Sequence, residues 1–203
     1  MAADTREQLL DTAEALFAER GFYGVSIAAI ADKLGLTKQA LLHHFGSKEK
    51  IYGAVLQRVS DDFERKLSMV SEAESDPLKQ LRAYLYALAT DIRDEQIRPQ
   101  LLMRELLDNK RRAEEAGTWY LKPYLERLTD MVRALPGRDT TSEGAAFALV
   151  YQLLGAVTYF AVSQPTLTGI FGSARMTEIR YAFPGQLSNL IDAVLAEPTP
   201  SAD

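Results

Sequence analysis

Residues 26–45, with the sequence SIAAIADKLGLTKQALLHHF, hold two short helical patterns on either side of one glycine. Ser26 is a favourable N-cap for the first helix and Thr37 for the second, while Gly35 relieves the turn between them. Leu41 stands where the second helix must approach the first. Small and apolar side chains at such positions let two short helices cross at a steep angle, which predicts a helix-turn-helix.

The second helix of this motif presents polar residues outward. In a helix-turn-helix, the N-terminal residues of that helix face base edges in the major groove, while its neighbours contact phosphates. Lys38 can bind guanine O6 and N7 or a phosphate, and Gln39 can bind adenine N6 and N7. Thr37 adds a hydroxyl at the positive end of a helix, which suits a phosphate. With His43 and His44 also facing outward, the motif predicts a DNA-binding surface.

The charge distribution fits this surface although the whole chain is acidic. The 203 residues carry a net charge of −5, which alone argues against a nucleic-acid partner. Residues 33–50, however, contain four lysines and one glutamate, whereas residues 1–32 contain two arginines and six acidic residues. A small basic region is therefore predicted near one end of an acidic body.

The rest of the chain also has helical patterns, and no stretch alternates as a half-buried β-strand would. A first helix ends at Gly21, and a fourth begins after the cap Ser47. From apolar stripes and proline positions we predict three further helices over 78–92, 101–107 and 113–135. A helix over 141–164 follows, with a capping box of Thr140 and Glu143, and Pro165 ends it before a loop over 166–173. After Pro184 we predict a last helix over 185–196 and a polar tail over 197–203.

Residues 6–51 repeat a known arrangement of apolar, glycine and capping positions at fixed spacing: Arg6, Leu9-Leu10, Ala13, Leu16-Phe17-Ala18, Gly21-Phe22, Ser26-Ile27, Ile30-Ala31, Leu34-Gly35-Leu36-Thr37, Leu41, His44-Phe45 and Ser47-Lys48-Glu49. This arrangement resembles the tetracycline-repressor (TetR) family of bacterial transcription regulators. The resemblance implies that residues 37–43 form the recognition helix and that His44 and Lys48 contact phosphates. The residues predicted to contact DNA are therefore Ser26, Thr37, Lys38, Gln39, Ala40, His43, His44 and Lys48.

Three positions depart from the family pattern. Leu42 stands where the family usually has tyrosine, which removes one expected phosphate contact. Gln39 stands where glycine is frequent and adds a long side chain in the groove, so it bears on the operator sequence. Val25 replaces a common threonine and leaves Ser26 as the only hydroxyl residue that can cap the first helix of the motif.

The predicted fold is all-α. It has an N-terminal three-helix DNA-binding domain with a helix-turn-helix at residues 1–50, a linking helix at about 47–74, and a helical ligand-binding and dimerisation domain at 51–203. The resemblance implies a cytoplasmic, homodimeric, ligand-responsive regulator, a repressor that a small molecule releases from its pseudo-palindromic operator in double-stranded DNA. The alternative from another class is a helical carrier of small molecules without DNA binding, in which residues 26–45 are a structural hairpin.

The C-terminal part offers two candidate surfaces. Apolar and aromatic residues between the helices of a bundle often line a ligand pocket, although a packed core would explain most of them equally well. The candidates for effector binding are Tyr84, Leu88, Met103, Leu107, Trp119, Tyr120, Phe147 and Tyr151. The two last helices resemble the family's dimerisation surface, and the candidates there are Leu153, Leu154, Val157, Phe160, Leu187, Leu190, Ile191 and Val194.

Other functions find little support in the sequence. There is no cysteine, no Gly-rich phosphate loop and no G-x-S-x-G motif, so we expect neither an enzyme nor a cofactor. His43 and His44 are adjacent and point to different sides of a helix, so we expect no metal site. The N-terminus shows no pattern for export. The apolar run at 145–162 is as long as a marginal membrane span, but we expect a buried or interface helix and no membrane partner.

Overall fold

The computed structural model describes residues 2–94, 96–112, 119–138 and 140–196, and every regular element within these ranges is an α-helix. This confirms the predicted all-α class. In chain order the helices are α1 Ala2–Arg20, α2 Ile27–Lys33, α3 Lys38–Phe45, α4 Lys48–Ala73, α5 Pro77–Asp94, α6 Ile97–Arg112, α7 Lys122–Arg133, α8 Glu143–Phe171 and α9 Ser173–Ala196.

The helices group into two compact units. The first contains Met1–Asp61 and Ile97–Leu121, and the second contains Asp62–Gln96 and Lys122–Asp203. Helix α4 contributes to both units, and α6 belongs to the first because it packs along α1. The boundaries of these units differ from the division predicted at residue 50. That division stays a prediction, with DNA binding assigned to residues 1–50 and ligand binding and dimerisation to residues 51–203.

An aromatic cluster and a buried carboxylate hold the first unit together. The Tyr52 ring on α4 lies edge-on to Phe17 of α1, with 4.8 Å between the ring centroids. Glu14 of α1 is buried, and its carboxylate accepts hydrogen bonds from Arg58 of α4 and Arg98 of α6. A buried charge is stable only when it is paired and hydrogen-bonded, so this one carboxylate joins three helices.

Helix α6 and the turn that contains Tyr120 are attached to α4 by further hydrogen bonds. The Tyr52 hydroxyl donates to Glu105 of α6 over 2.7 Å, and the Ser60 hydroxyl donates to the carbonyl oxygen of Tyr120 over 2.7 Å. A Cβ atom at Gly53 would overlap the Tyr120 hydroxyl. Glycine at this position therefore allows the tyrosine to approach the backbone of α4.

In the second unit, α5 packs against α7, α8 and α9. The buried hydroxyl of Tyr84 on α5 donates to the hydroxyl of Tyr124 on α7 over 3.0 Å. Arg82 of α5 forms a two-pronged ion pair with Asp192 of α9. These two contacts pair polar groups of α5 with α7 and with α9 inside the unit.

The helix predicted over 113–135 is wrong in its N-terminal part. Residues 119–121 do not continue a helix, and α7 begins at Lys122, while residues 113–118 lie outside the described part of the chain. Pro123 is the second residue of α7. Proline needs no hydrogen-bond acceptor in a first turn and disfavours a helical conformation just before it, so here it begins a helix rather than lying inside one.

Helix α8 begins at a different cap from the one predicted. Its N-cap is Ser142, whose hydroxyl accepts a hydrogen bond from the N–H of Ala145 over 3.2 Å. The predicted capping box of Thr140 and Glu143 is therefore wrong, because Glu143 is already the first residue of the helix. The tail predicted over 197–203 lies outside the described residues.

Neither proline in the last two helices ends its helix. Helix α8 continues through Pro165 and α9 continues through Pro184, so both predicted breaks are wrong, and so is the loop predicted over 166–173. A proline inside a helix costs about 3 kcal/mol. Packing offsets this cost, since Pro184 is buried and the ring of Phe160 on α8 stacks on Phe183 of α9 with 3.8 Å between centroids.

Candidate nucleic-acid interface

A Schellman turn links α2 to α3. The Leu36 N–H donates to the carbonyl oxygen of Ala31 over 2.9 Å, and the Gly35 N–H donates to that of Asp32 over 3.2 Å. Gly35 has a φ of 65°, a left-handed conformation that side chains with a Cβ disfavour. The glycine predicted to relieve the turn therefore does so by closing the C-terminus of α2.

Helix α3, which the sequence predicts to be the recognition helix, turns one face inward and its polar side chains to solvent. The Thr37 hydroxyl caps it by accepting a hydrogen bond from the N–H of Ala40 over 3.1 Å. Leu41 is fully buried, and α3 packs against α2. Ala40 is half-buried, whereas the exposed side chains of the helix are Lys38, Gln39, His43 and His44. The polar side chains that the sequence predicted to face DNA are thus all accessible to solvent.

Ser26 and Thr37 act as N-caps, as predicted. Each is exposed, and the Ser26 hydroxyl accepts a hydrogen bond from the N–H of Ala29 over 3.1 Å. A capping hydroxyl still has its own O–H to donate, so both residues can also donate to a phosphate oxygen.

The link from α3 to α4 carries the predicted phosphate-binding lysine. Gly46, with a φ of 84°, ends α3, and Ser47 caps α4 by accepting from the N–H of Lys50 over 3.3 Å. The Lys48 ammonium lies 4.3 Å from the centroid of the Phe22 ring. Partial burial lowers the pKa of Lys48, and the neighbouring Glu49 carboxylate acts in the opposite direction. The ring thus holds the cation beside the end of the recognition helix.

Acidic side chains of α1 are neutralised by an arginine of α4. Arg58 donates to Asp11 over 2.7 Å, to Glu7 over 3.3 Å, and to the buried Glu14. Three of the six acidic residues in the first 32 therefore pair with this one arginine. This pairing reduces the negative potential that the N-terminal segment would otherwise present to DNA.

Two cations near the recognition helix were not among the predicted contacts. The Arg6 guanidinium carbon lies 5.5 Å from the centroid of the Phe45 ring at the end of α3. Lys50 is exposed in the first turn of α4. Lys50 is one of the four lysines of the predicted basic region, and Arg6 is among the residues that carry the family resemblance. No local sequence pattern, however, relates an arginine in α1 to an aromatic ring 39 residues later.

The predicted effector-binding residues divide between the two units. Met103, Leu107, Trp119 and Tyr120 belong to the first unit, and Tyr84, Leu88, Phe147 and Tyr151 belong to the second. Tyr84 and Leu88 are buried, whereas Leu107 is 72% exposed, and Trp119, Phe147 and Tyr151 are exposed as well. Their role in effector binding stays a prediction.

The predicted dimerisation residues mostly face the chain's own core. Leu153, Val157, Phe160, Leu187 and Ile191 are buried, and Leu154 and Val194 are half-buried. Leu190 is the exposed one among the predicted set. Helical spacing alone could not separate the face that packs internally from the face that remains open, because α8 is apolar on both.

Helices α8 and α9 nevertheless leave apolar side chains exposed. On α8 these are Phe147, Tyr151, Tyr159, Ile170 and Phe171, and on α9 they are Tyr181 and Leu190. By length and composition α8 could also cross a membrane, and 28% of its most apolar window is buried. Contiguous exposed apolar surface is uncommon on monomeric soluble proteins, so these helices are candidates for an interaction surface.

A helix-turn-helix with an exposed polar second helix, joined to a larger helical unit, defines the class of helical DNA-binding regulatory proteins. Residues 9–55 match the model of the family described as bacterial regulatory proteins, tetR family, so this segment is a DNA-binding domain of that family. No group of three or more histidine, aspartate or glutamate side chains suited to a metal occurs among the residues that the structure describes.

Several known proteins resemble the chain. It is 31% identical over 140 residues to the transcriptional activator FasR of Mycolicibacterium smegmatis, which covers 69% of this chain and 62% of FasR. It is 39% identical over 85 residues to the transcriptional repressor KstR2 of Rhodococcus jostii, which covers 42% of this chain and 40% of KstR2. The chain thus spans less than two thirds of the length of these relatives.

The fold resembles solved structures over nearly the whole chain. The structure of the fatty acid degradation regulator FadR from Bacillus halodurans superposes with a TM-score of 0.69 and 17% identity, covering 96% of each chain. At this identity the similarity shows the fold, which is the predicted N-terminal helix-turn-helix with a helical C-terminal part.

Proposed function

We propose that the chain is a ligand-responsive DNA-binding transcriptional regulator that acts as a homodimer in the cytoplasm. The observation that carries this proposal is the orientation of α3. Lys38 and Gln39 are exposed while Leu41 is fully buried, so the helix presents hydrogen-bonding side chains with the chemistry of base and phosphate readout. In a carrier protein the same polar face would only contact solvent, so salt-sensitive binding to DNA distinguishes the two functions.

The homodimer follows from the size of the DNA-binding surface. One helix-turn-helix buries too little surface for operator-level affinity, so two copies related by a two-fold axis read half-sites about 34–36 Å apart, or a multiple of this distance. The exposed apolar face of α8 and α9 is the surface that we assign to the dimer. Its aromatic side chains would lose contact with water on association.

The proposed regulation is repression that a small molecule relieves. KstR2 is named a repressor and FasR an activator, so relatives of both kinds exist. A ligand that favours one arrangement of the two recognition helices shifts operator affinity by its differential binding, typically about 1–3 kcal/mol. A reporter gene placed behind a DNA sequence that the chain binds distinguishes repression from activation, because a repressor lowers the expression of the reporter. The proposal assigns no catalytic step to any residue.

The first test is the salt dependence of DNA binding. Fluorescence anisotropy with a labelled random-sequence duplex should show binding that weakens with salt, and Lys48→Ala should lower the slope of log K against log salt by about 0.9. Lys79→Ala, which removes an exposed lysine of α5 in the second unit, should leave the slope unchanged. A carrier protein would show no salt-sensitive binding in any variant, and that result would contradict the proposal.

Sequence preference is a separate readout. Gln39→Ala should alter the base preference found by selection of bound duplexes, because an adenine-reading amide is lost. Lys48→Ala should weaken binding to all duplexes without altering that preference. If Gln39→Ala selects the same sequences as the unmodified chain, Gln39 does not read bases.

A further inference from the structure

We infer that Arg6, in the first turns of α1, is an additional DNA phosphate contact that borders the recognition helix. This inference rests on the proposed function and extends the DNA-binding surface beyond the helix-turn-helix. Its basis is the position of one guanidinium group, which lies 5.5 Å from the centroid of the Phe45 ring.

The Phe45 ring places this guanidinium at the end of the recognition helix. Phe45 is the last residue of α3, directly after His43 and His44, and Lys48 begins α4 three residues later. Arg6 therefore extends from α1 to the end of α3, and the imidazoles of His43 and His44 and the ammonium group of Lys48 are within three residues of Phe45 in the sequence. All of these are groups that bind phosphate oxygens.

The arginine is available to a ligand in this position. Its side chain is 57% exposed, and a guanidinium on an aromatic ring keeps N–H groups free for bidentate binding of phosphate. Its ion pair with Glu7 is long, 3.7 Å between Nη1 and Oε1, and Glu7 also accepts a hydrogen bond from Arg58 over 3.3 Å. An exposed pair of this kind is weak, so a phosphate can replace the carboxylate.

Lys48 shows the same arrangement on a second ring. Its ammonium lies 4.3 Å from the centroid of the Phe22 ring, so each of the two cations is held over an aromatic side chain of the same unit. Fixing a long cationic side chain in advance reduces the conformational entropy that is lost when it binds phosphate. The two rings thus pre-organise two phosphate contacts.

The test compares Arg6→Gln with Arg20→Gln in the full chain. Arg20 is the last residue of α1 and pairs with the adjacent Glu19, as Arg6 pairs with Glu7, so both variants remove one charge and one similar ion pair. With a labelled random-sequence duplex, Arg6→Gln should lower the slope of log K against log salt by about 0.9, and Arg20→Gln should leave it unchanged. Arg6→Lys should retain the slope because it retains the charge.

Circular dichroism and the unfolding midpoint establish that each variant is folded. Equal slopes for Arg6→Gln and Arg20→Gln would overturn the inference, since the effect would then be one of net charge or absent. If Arg6→Gln is unfolded, Arg6→Met replaces it, since it keeps the aliphatic part of the side chain and removes the charge, and it should lower the slope by the same amount; an unchanged slope there overturns the inference too. If Lys48→Ala lowers the slope but Arg6→Gln does not, the Arg6 inference is wrong and the proposed function still holds. If the unmodified chain shows no salt-sensitive binding, both the inference and the proposed function are wrong.

Discussion

At the scale of the residue, Glu14 is the most constrained charge in the first unit. It is 5% exposed, and its two carboxylate oxygens accept from Arg58 on α4 and Arg98 on α6. Replacing the Glu14 carboxylate by a neutral group leaves the partly buried guanidinium groups of Arg58 and Arg98 with a weaker acceptor. Loss of hydrogen bonds to charged groups lowers the free energy of unfolding. Glu14 therefore holds together the unit that carries the recognition helix.

Glu14→Gln should lower the free energy of unfolding by about 1.5–3 kcal/mol, the usual contribution of a hydrogen bond to a charged group. Urea unfolding followed by circular dichroism measures this change. Glu19→Gln on the same helix is the control, because that carboxylate is exposed and pairs only at the surface with Arg20. Equal midpoints for the two variants would show that Glu14 does not hold the helices together.

At the scale of the element, the contact between α5 and α7 depends on two buried tyrosines. Burial raises the pKa of both Tyr84 and Tyr124 above the ordinary tyrosine value, and for Tyr84 the neighbouring Tyr124 adds to this. Because the neutral hydroxyls are favoured in the folded chain, their contribution to stability is complete below pH about 10, where the unfolded chain also keeps its protons. It is lost as the pH rises above that value.

Tyr84→Phe should therefore make the alkaline loss of stability less steep. Each such tyrosine lowers the free energy of unfolding by about 1.4 kcal/mol per pH unit above its unfolded pKa. Urea midpoints measured on both sides of pH about 10 give this slope. Tyr86→Phe is the matched control on α5, since Tyr86 is exposed. If Tyr84→Phe follows the unmodified chain at every pH, the buried pair does not ionise on unfolding in this range.

At the scale of the whole molecule, the open apolar face of α8 and α9 bears on the oligomeric state. Tyr159 and Tyr181 are 70% and 71% exposed, and Phe147 stacks on Tyr151 with 5.8 Å between centroids on the same helix face. Phe147, Tyr151, Gly155 and Tyr159 recur every four residues, which places them along one stripe of α8. The absence of a side chain at Gly155 allows a second helix to approach closely there.

Gly155→Arg should break the proposed dimer without unfolding the chain. Gly155 is exposed, and a Cβ atom at this position would meet nothing within 4 Å outside its own stretch of helix, so we expect the folded protomer to tolerate the substitution. In a dimer packed on this stripe, the same arginine would bury a charge without a partner, which is strongly unfavourable. Sedimentation velocity should show the mass of one chain.

Ala83→Arg supplies the control, because Ala83 is exposed on α5 of the same unit and arginine is favourable in a helix. That variant should sediment as the unmodified chain does. If Gly155→Arg also keeps the dimer mass, the interface lies elsewhere on the molecule.

The helix-turn-helix was predictable because its signals are local. Caps such as Ser26 and Thr37, a glycine at the left-handed position 35, and apolar residues at helical spacing act within a few residues of one another. The same signals predicted which face of α3 meets solvent, and the position of Lys48 at the start of α4. For the same reason the family pattern was visible in a segment of fewer than 50 residues.

The remaining features depend on contacts between residues far apart in the chain. Local proline signals predicted helix ends at Pro165 and Pro184, but α8 and α9 continue through both, and at the buried Pro184 packing within the second unit favours this. Helix α6 joins the DNA-binding unit through Glu14 and Arg98, whose pairing has no sequence pattern. Local conformational preferences can be read residue by residue, whereas burial and ion pairing arise only when distant side chains meet, and here their free energy outweighs the local preference.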